Sequence, residues 1–229
     1  MVRYPRPIAL RLFDRVFLPW MRTRIAVRMA GLPAPLAADR PLILIANHVS
    51  WWDGFLLREV HRALRPRAPL HTVMLESELG THRMLRTLGA VGIDPANAAS
   101  VAHCIRVLED RLEHRQDSVV AFFPQGRIWP SHRRPLQFQR GVELFARRLP
   151  SADLLPLAIH IEPLNRISPI AFLLAGPIVA GGRAADAVRL EAAVERQLDD
   201  ILRFLSEHGE RAAAEWPGAF ELLPAWRAP

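Results

Sequence analysis

At 229 residues, with no Ser/Gly-rich linker dividing it, the chain is long enough to bury a sizeable core and reads as one folded unit with a terminal extension. Its single cysteine, Cys104, excludes an intramolecular disulfide and a zinc site built on several thiolates, and it suits a cytosolic compartment. The net charge of +7 rests on 30 basic residues, all of them Arg, so the pI near 11.2 reflects composition bias as much as function.

Residues 1–32 hold Arg3, Arg6, Arg11, Arg15, Arg22, Arg24 and Arg28 against one acid, Asp14, which is nearly all of the net charge. Ile8, Leu12, Phe13, Val16, Phe17, Trp20 and Met21 interleave with these cations, and on a helix that spacing makes one apolar and one cationic face. Such a helix suits the surface of an anionic bilayer. The alternative is a helix packed on the core, and patterning alone does not separate the two. No helix-turn-helix, zinc-finger or RNA-recognition pattern accompanies the charge, so nucleic acid is not an expected partner.

Arg and Asp interrupt every candidate apolar region of a cleaved signal peptide in this head. The longest uncharged run, 167–182, carries Pro169, Gly176 and Pro177 and falls short of the ~20 apolar residues of a spanning helix. The expected organisation is a basic amphipathic membrane-surface segment over 1–32 and a folded domain over 33–229, lying on a membrane without crossing it.

Apolar runs predict strands near 41–46, 70–75, 90–93, 118–123, 154–161 and 170–175, with helical patterns between most of them. The best helix has Ala187, Leu190, Val194, Leu198, Ile201 and Leu205 three or four apart, and Gly209 is placed to end it. This alternation predicts an α/β fold: a mixed, largely parallel central sheet flanked by helices, with function in loops at strand ends. A phosphate-cradling glycine loop and a G-x-S-x-G nucleophile elbow are both missing, which disfavours a nucleotide-dependent enzyme and an α/β-hydrolase lipase. Chemistry must start from histidine.

The stretch from Asn47 to Gly54, NHVSWWDG, follows the apolar run Leu42 to Ile45. On a regular helix His48 and Asp53 would stand ~140° apart. If the strand ends near Asn47 and a helix begins around Ser50 to Trp52, the two side chains converge. Asp53 would then take the Nδ1 proton and leave His48 Nε2 as a base for a substrate hydroxyl attacking an activated acyl carbonyl. The plain alternative is a helix start capped by Asn47 or Ser50, with Asp53 complementing the dipole. Spacing alone favours the alternative, so other segments must decide.

Those segments come in order: Met74 to Leu79, then Gly89 to Asp94, then Phe122-Phe123-Pro124-Gln125-Gly126-Arg127, then Phe138-Gln139-Arg140-Gly141, then Leu155 to Ile159. The series resembles the glycerolipid acyltransferase family, the 1-acylglycerol-3-phosphate acyltransferases, over about residues 41–176. That family is marked by an N-H-x4-D block, a G-x-x-x-I-D-R-like block, an F-P-E-G-T-R block and a V-P-V-A block. The resemblance implies an acyl-CoA or acyl-carrier-protein donor, a hydroxyl on a membrane-lipid acceptor such as a lysophospholipid, no metal or other cofactor, and His48 with Asp53 as the catalytic pair. It also places Gly126 beside the acyl carbonyl, where a backbone N–H would help hold the oxyanion.

Several positions depart from the pattern. Where the family carries a Lys before Glu78-Leu79, an Arg after the second-block Asp and an Arg closing the third block, this chain has Glu76 or Ser77, Pro95 and Ile128. Arg127 comes one position early, and Gln125 replaces the third-block Glu. Each lost cation removes a charge-assisted contact to phosphate, and Arg127, Arg133, Arg134 and Arg140 are the candidates to rebuild one. Phosphate-bearing acceptors and uncharged ones, such as a glycolipid or glycosylated isoprenoid, both stay open. So do a non-catalytic lipid-binding homologue and an acyl hydrolase.

Trp51 and Trp52 point ~100° apart on a helix, so one is expected to pack in the core and one to serve the acyl chain or the interface. The expected substrate-side residues are therefore Gln125, Gly126, Arg127, Arg140 and Trp52. Asp94 reads as a turn before a helix as readily as a second-block residue, His160 as a strand residue, and Cys104 as a helical hydrophobe. The other histidines show no metal-ligand spacing. With such donors, the cytoplasmic face of a membrane is the expected location.

Overall fold

The computed structural model describes residues 7–32, 36, 39–182 and 185–223; Arg3 and Arg6 of the basic head lie outside them. Helix α1 (Pro7–Arg22) leads into β1 (Ala26–Ala30), then β2 (Leu42–Ala46), α2 (Asp53–Leu64), β3 (Leu70–Leu75), α3 (Glu76–Thr81), a 3-10 turn (Arg83–Leu88) and β4 (Val91–Ile93). Next come α4 (Ala98–His114), β5 (Val119–Phe122), α5 (Gly141–Arg148), β6 (Asp153–Glu162), β7 (Ile170–Ala175) and β8 (Val179–Ala180). The described chain closes with α6 (Ala187–His208), a short α7 (Ala212–Glu215) and β9 (Phe220–Leu223).

The nine strands of the described residues form one sheet in the order β4-β3-β5-β2-β6-β7-β1-β9, with β8 alongside the start of β6. From β4 to β6 all neighbours run parallel; β7 then runs antiparallel to β6, β1 parallel to β7, and β9 antiparallel to β1. The sheet is mixed and largely parallel with helices on both faces, as the alternation of runs predicts. Every residue of β2 is buried, and its side chains alternate: Leu42, Leu44 and Ala46 face α1 and α2, whereas Ile43 and Ile45 face α4, α5 and α6. A continuous apolar run is what a parallel strand covered on both faces requires.

Helix α6 buries Leu190, Val194, Leu198 and Ile201 at 0–1 % exposure against the sheet. It starts at Asp186, whose side chain accepts the Arg189 N–H at 2.8 Å, and stops at Gly209, where φ of +54° favours a residue without Cβ.

Three strands went unread in the sequence. β1 lies inside the expected 1–32 segment: α1 covers 7–22, and 26–30 joins the sheet. Val27 and Met29 are fully buried, while Arg28 faces out and stands opposite Glu221 of β9, 4.0 Å away. A five-residue strand with Arg at its centre, in a stretch already marked by its charge, carries too little period-2 signal to be seen. β8 and β9 are shorter still and owe their conformation to their partners.

Helix α1 carries two apolar stripes, one packed on the core and one exposed. Phe13 and Phe17 pack against Phe55 of α2 with ring centroids 6.0 and 4.3 Å away, Met21 is buried, and Asp14 receives a bidentate Arg58 at 2.7–2.9 Å. The second stripe, Ile8, Leu12, Val16 and Trp20 at steps of four, stays 80, 63, 68 and 43 % exposed. Arg11, Arg15, Arg22 and Arg24 flank it in solvent.

Candidate active site

Three parallel strands bring their C-terminal ends together here: β2 delivers Asn47 and His48, β5 delivers Phe123 to Gln125, and β6 delivers Ile159 and His160. This is the strand-end location expected for function in an α/β sheet. Asn47 is fully buried and caps no helix. Its Nδ2 donates to the Ile159 carbonyl at 2.9 Å, and its Oδ1 accepts the Ile159 N–H at 2.7 Å, extending the β2–β6 ladder one residue past Ala46.

His48 is the first residue beyond that ladder and is held on every side. Its N–H donates to Gln125 Oε1 at 2.6 Å, its carbonyl accepts the Trp129 N–H at 2.8 Å, and its ring stacks on Phe123 at 4.5 Å. Residues 48–52 then turn so that α2 starts at Asp53. Asp53 is fully buried, and its Oδ2 accepts from His48 Nδ1 at 2.7 Å, Val49 N at 2.6 Å and Ser50 N at 2.9 Å, while Oδ1 takes the Ser50 hydroxyl at 2.6 Å. Besides His48 Nδ1, three donors, the Val49 and Ser50 N–H groups and the Ser50 hydroxyl, thus surround this one carboxylate. The His48 side chain is 24 % exposed. The strand-to-helix turn therefore brings together two residues that a regular helix would hold apart.

Gln125 is 2 % exposed, and its side chain positions His48 from beneath. Gly126 has φ of +65°, and a Cβ there would sit 2.9 Å from Gln139 Nε2. Its N–H already donates to the Phe123 carbonyl at 3.1 Å, so the oxyanion contact expected of it would require that turn bond to be exchanged. Arg127 is exposed, with its guanidinium over the Trp129 ring at 4.6 Å. Arg140 lies at the start of α5 with its side chain 86 % exposed and Glu143 3.5 Å away. Trp52 is half-buried and packs on Trp20 and Trp51 at 5.4 Å, whereas Trp51 is 55 % exposed.

Other residues weighed in the sequence find structural roles. Asp94 makes the turn before α4, whose cap is Asn97. Burial pushes the Cys104 thiol up to about 12, so it stays an inert hydrophobe. Glu76, one of the two residues read at the place of the missing Lys, ion-pairs Arg86. His160 is 7 % exposed between the Ser131 hydroxyl, 2.8 Å from Nδ1, and Glu162 Oε2, 3.1 Å from Nε2; burial lowers its pKa. No group of three or more His, Cys, Asp or Glu among the described residues is arranged to hold a metal ion.

Trp129 and Ser131 escaped the sequence reading. Phe123 was read as part of the third block, but its contact with a histidine 75 positions away was not.

An acyltransferase family model matches residues 28–164, a span that opens in β1 and takes in every residue of the site just described. No curated protein sequence matches the chain. Among solved structures, the fold is similar to that of PlsC, the 1-acyl-sn-glycerophosphate (LPA) acyltransferase from Thermotoga maritima. The TM-score is 0.56 at 20 % sequence identity, over 84 % of this chain and 78 % of that one. With well over half of its residues inside the matched span, the chain belongs to the acyltransferase family.

Proposed function

We propose that this acyltransferase moves a fatty acyl group from a thioester, acyl-CoA or acyl-carrier protein, to a hydroxyl of a lipid acceptor such as a lysophospholipid. The observation that carries this reading is the His48 Nδ1–Asp53 contact at 2.7 Å, with Nε2 left unpaired at the strand ends. His48 Nε2 takes the proton of the acceptor hydroxyl as its oxygen attacks the thioester carbonyl. The buried Asp53 carboxylate stabilises the imidazolium that forms, and the imidazolium then returns the proton to the departing thiolate. No protein nucleophile is needed.

His48→Ala should lower acyl transfer by about 10²- to 10⁴-fold with the fold intact by circular dichroism, and Asp53→Asn should approach that loss. Release of free CoA from acyl-CoA in the presence of membrane lipids reads the reaction, and alanine variants with wild-type rates would exclude the mechanism.

The exposed stripe of α1 supports a peripheral position on the cytoplasmic face of a membrane, where such donors are made. No helix among the described residues is long and apolar enough to cross one. Phe13, Val16, Phe17, Trp20 and Met84 line an open groove of about 400 Å³ beside this stripe, next to the tryptophans that adjoin His48. In this reading the acyl chain lies in that apolar groove.

A further inference from the structure

Of the four arginines that could replace the missing family cations, the fold separates two from two. Arg134 spends its charge inside the protein: its guanidinium donates to the Ser131 and Arg133 carbonyls at 2.6 and 2.9 Å and to Asp199 of α6 at 2.7 Å. Arg140 projects from the start of α5 towards Glu143. Arg127 and Arg133 instead stand over one ring, with guanidinium carbons 4.6 and 3.5 Å from the centroid of Trp129. Among the described residues neither has an acid partner.

The loop that carries them is tied to the proposed reaction centre through its backbone, because the Trp129 main-chain N–H donates to the His48 carbonyl at 2.8 Å. On the far side the loop is pinned by the Ser131 hydroxyl to His160, which is itself tied to Glu162, and by Arg134 to α6. The contacts to Trp129 place the two like charges within about 8 Å of each other, a mutual repulsion that a bound dianion would relieve. Each guanidinium presents a planar fork suited to phosphate oxygens, and stacking on the ring orders that fork before binding. With Arg133 at 3.5 Å over the ring, Trp129 does not offer that ground to a sugar face.

We infer that Arg127 and Arg133, stacked on Trp129, form a headgroup site that holds a phosphate monoester of the acceptor beside His48. The site comes from the loop after the third block rather than from the positions where the family carries its cations. In its kinetic consequence the inference rests on the acyl-transfer reading; the binding site itself does not.

Equilibrium dialysis of glycerol 3-phosphate against the full-length His48→Ala protein reads the site without turnover. Binding should vanish when Arg127→Ala and Arg133→Ala are added and persist when Arg147→Ala is added instead. In otherwise wild-type protein, the Arg127→Ala/Arg133→Ala pair should raise KM for 1-acylglycerol 3-phosphate about tenfold or more. Its kcat, and its rate with monoacylglycerol of the same chain, should stay within about twofold. Dialysis unchanged by the double substitution, equal losses on both acceptors, or a wild-type preference for monoacylglycerol overturns the assignment. Glycerol 3-phosphate binding without any KM effect would mark a site for free phosphate and overturns it too. Binding as described in a protein that transfers no acyl group would refute the acyl-transfer reading and leave the anion site standing.

Discussion

Asn47 shows how a short polar side chain positions a proposed reaction centre that it never touches. By completing one more rung between β2 and β6, it sets the point where the chain leaves the sheet, and His48 is the next residue. Asn47→Ala would strand a buried N–H and a buried carbonyl of Ile159. The expected cost is about 2–4 kcal/mol, read as a lower denaturant midpoint with an unchanged slope. Gln125 works in the same way on the His48 N–H, which its side-chain oxygen accepts. The spacing of His48 and Asp53 was legible in the sequence. What holds the pair was not, because Asn47 meets Ile159 across 112 positions and His48 meets Gln125 across 77.

Helix α1 is amphipathic twice over. The pattern of its apolar residues was plain, but a helical wheel records only that Phe13, Phe17, Leu12 and Val16 are apolar. Packing on α2 consumes the phenylalanines through Phe55 and leaves the stripe from Ile8 to Trp20 in solvent. Leu12→Asp with Val16→Asp should therefore alter folding stability by less than about 1 kcal/mol, because both side chains are already exposed. The same pair should weaken co-sedimentation with anionic vesicles about tenfold or more, an effect that high salt should deepen by screening Arg11 and Arg15. Unchanged partitioning would return the stripe to an ordinary, if unusually greasy, surface. Strands β2, β3, β5, β6 and β7 were legible to within a residue or two because each is a run of apolar residues bounded by turn formers. β1 was not, because a buried Val27 and Met29 around Arg28 look no different from their charged surroundings until β7 and β9 lie on either side.

Across the whole molecule, burial governs the response to acid. Burial, assisted by Arg58 and Arg62, holds His61 down at about 4; burial and the Arg111 guanidinium, 3.2 Å from Nδ1, hold His71 at about 3. Both lie below the unfolded value of 6.5, so the unfolded chain takes up protons first as the pH falls. Their contribution is whole above pH ~6.5 and drains away towards pH ~4 and ~3, by up to about 1.4 kcal/mol per pH unit for each histidine. Glu59, raised by burial, binds its proton more readily in the native state and opposes the trend. The denaturant midpoint should accordingly fall between pH 7.5 and 5.5, and His71→Gln should flatten that fall; a midpoint independent of pH over this window would contradict the assignment.

Features that depend on near neighbours were written along the chain: the apolar runs of the central strands, the stop of α6 at Gly209, the charge of residues 1–32, and the interval between His48 and Asp53. Hydrophobic periodicity, helix capping and local charge act over a few residues, so one sequence is enough to read them. The order of the nine strands, the face of α1 that stays open, the two arginines left over Trp129 and the hydrogen bonds that hold His48 belong to the folded state. They arise between segments tens to a hundred residues apart, where packing and the pairing of buried polar groups decide the outcome and no local pattern records it.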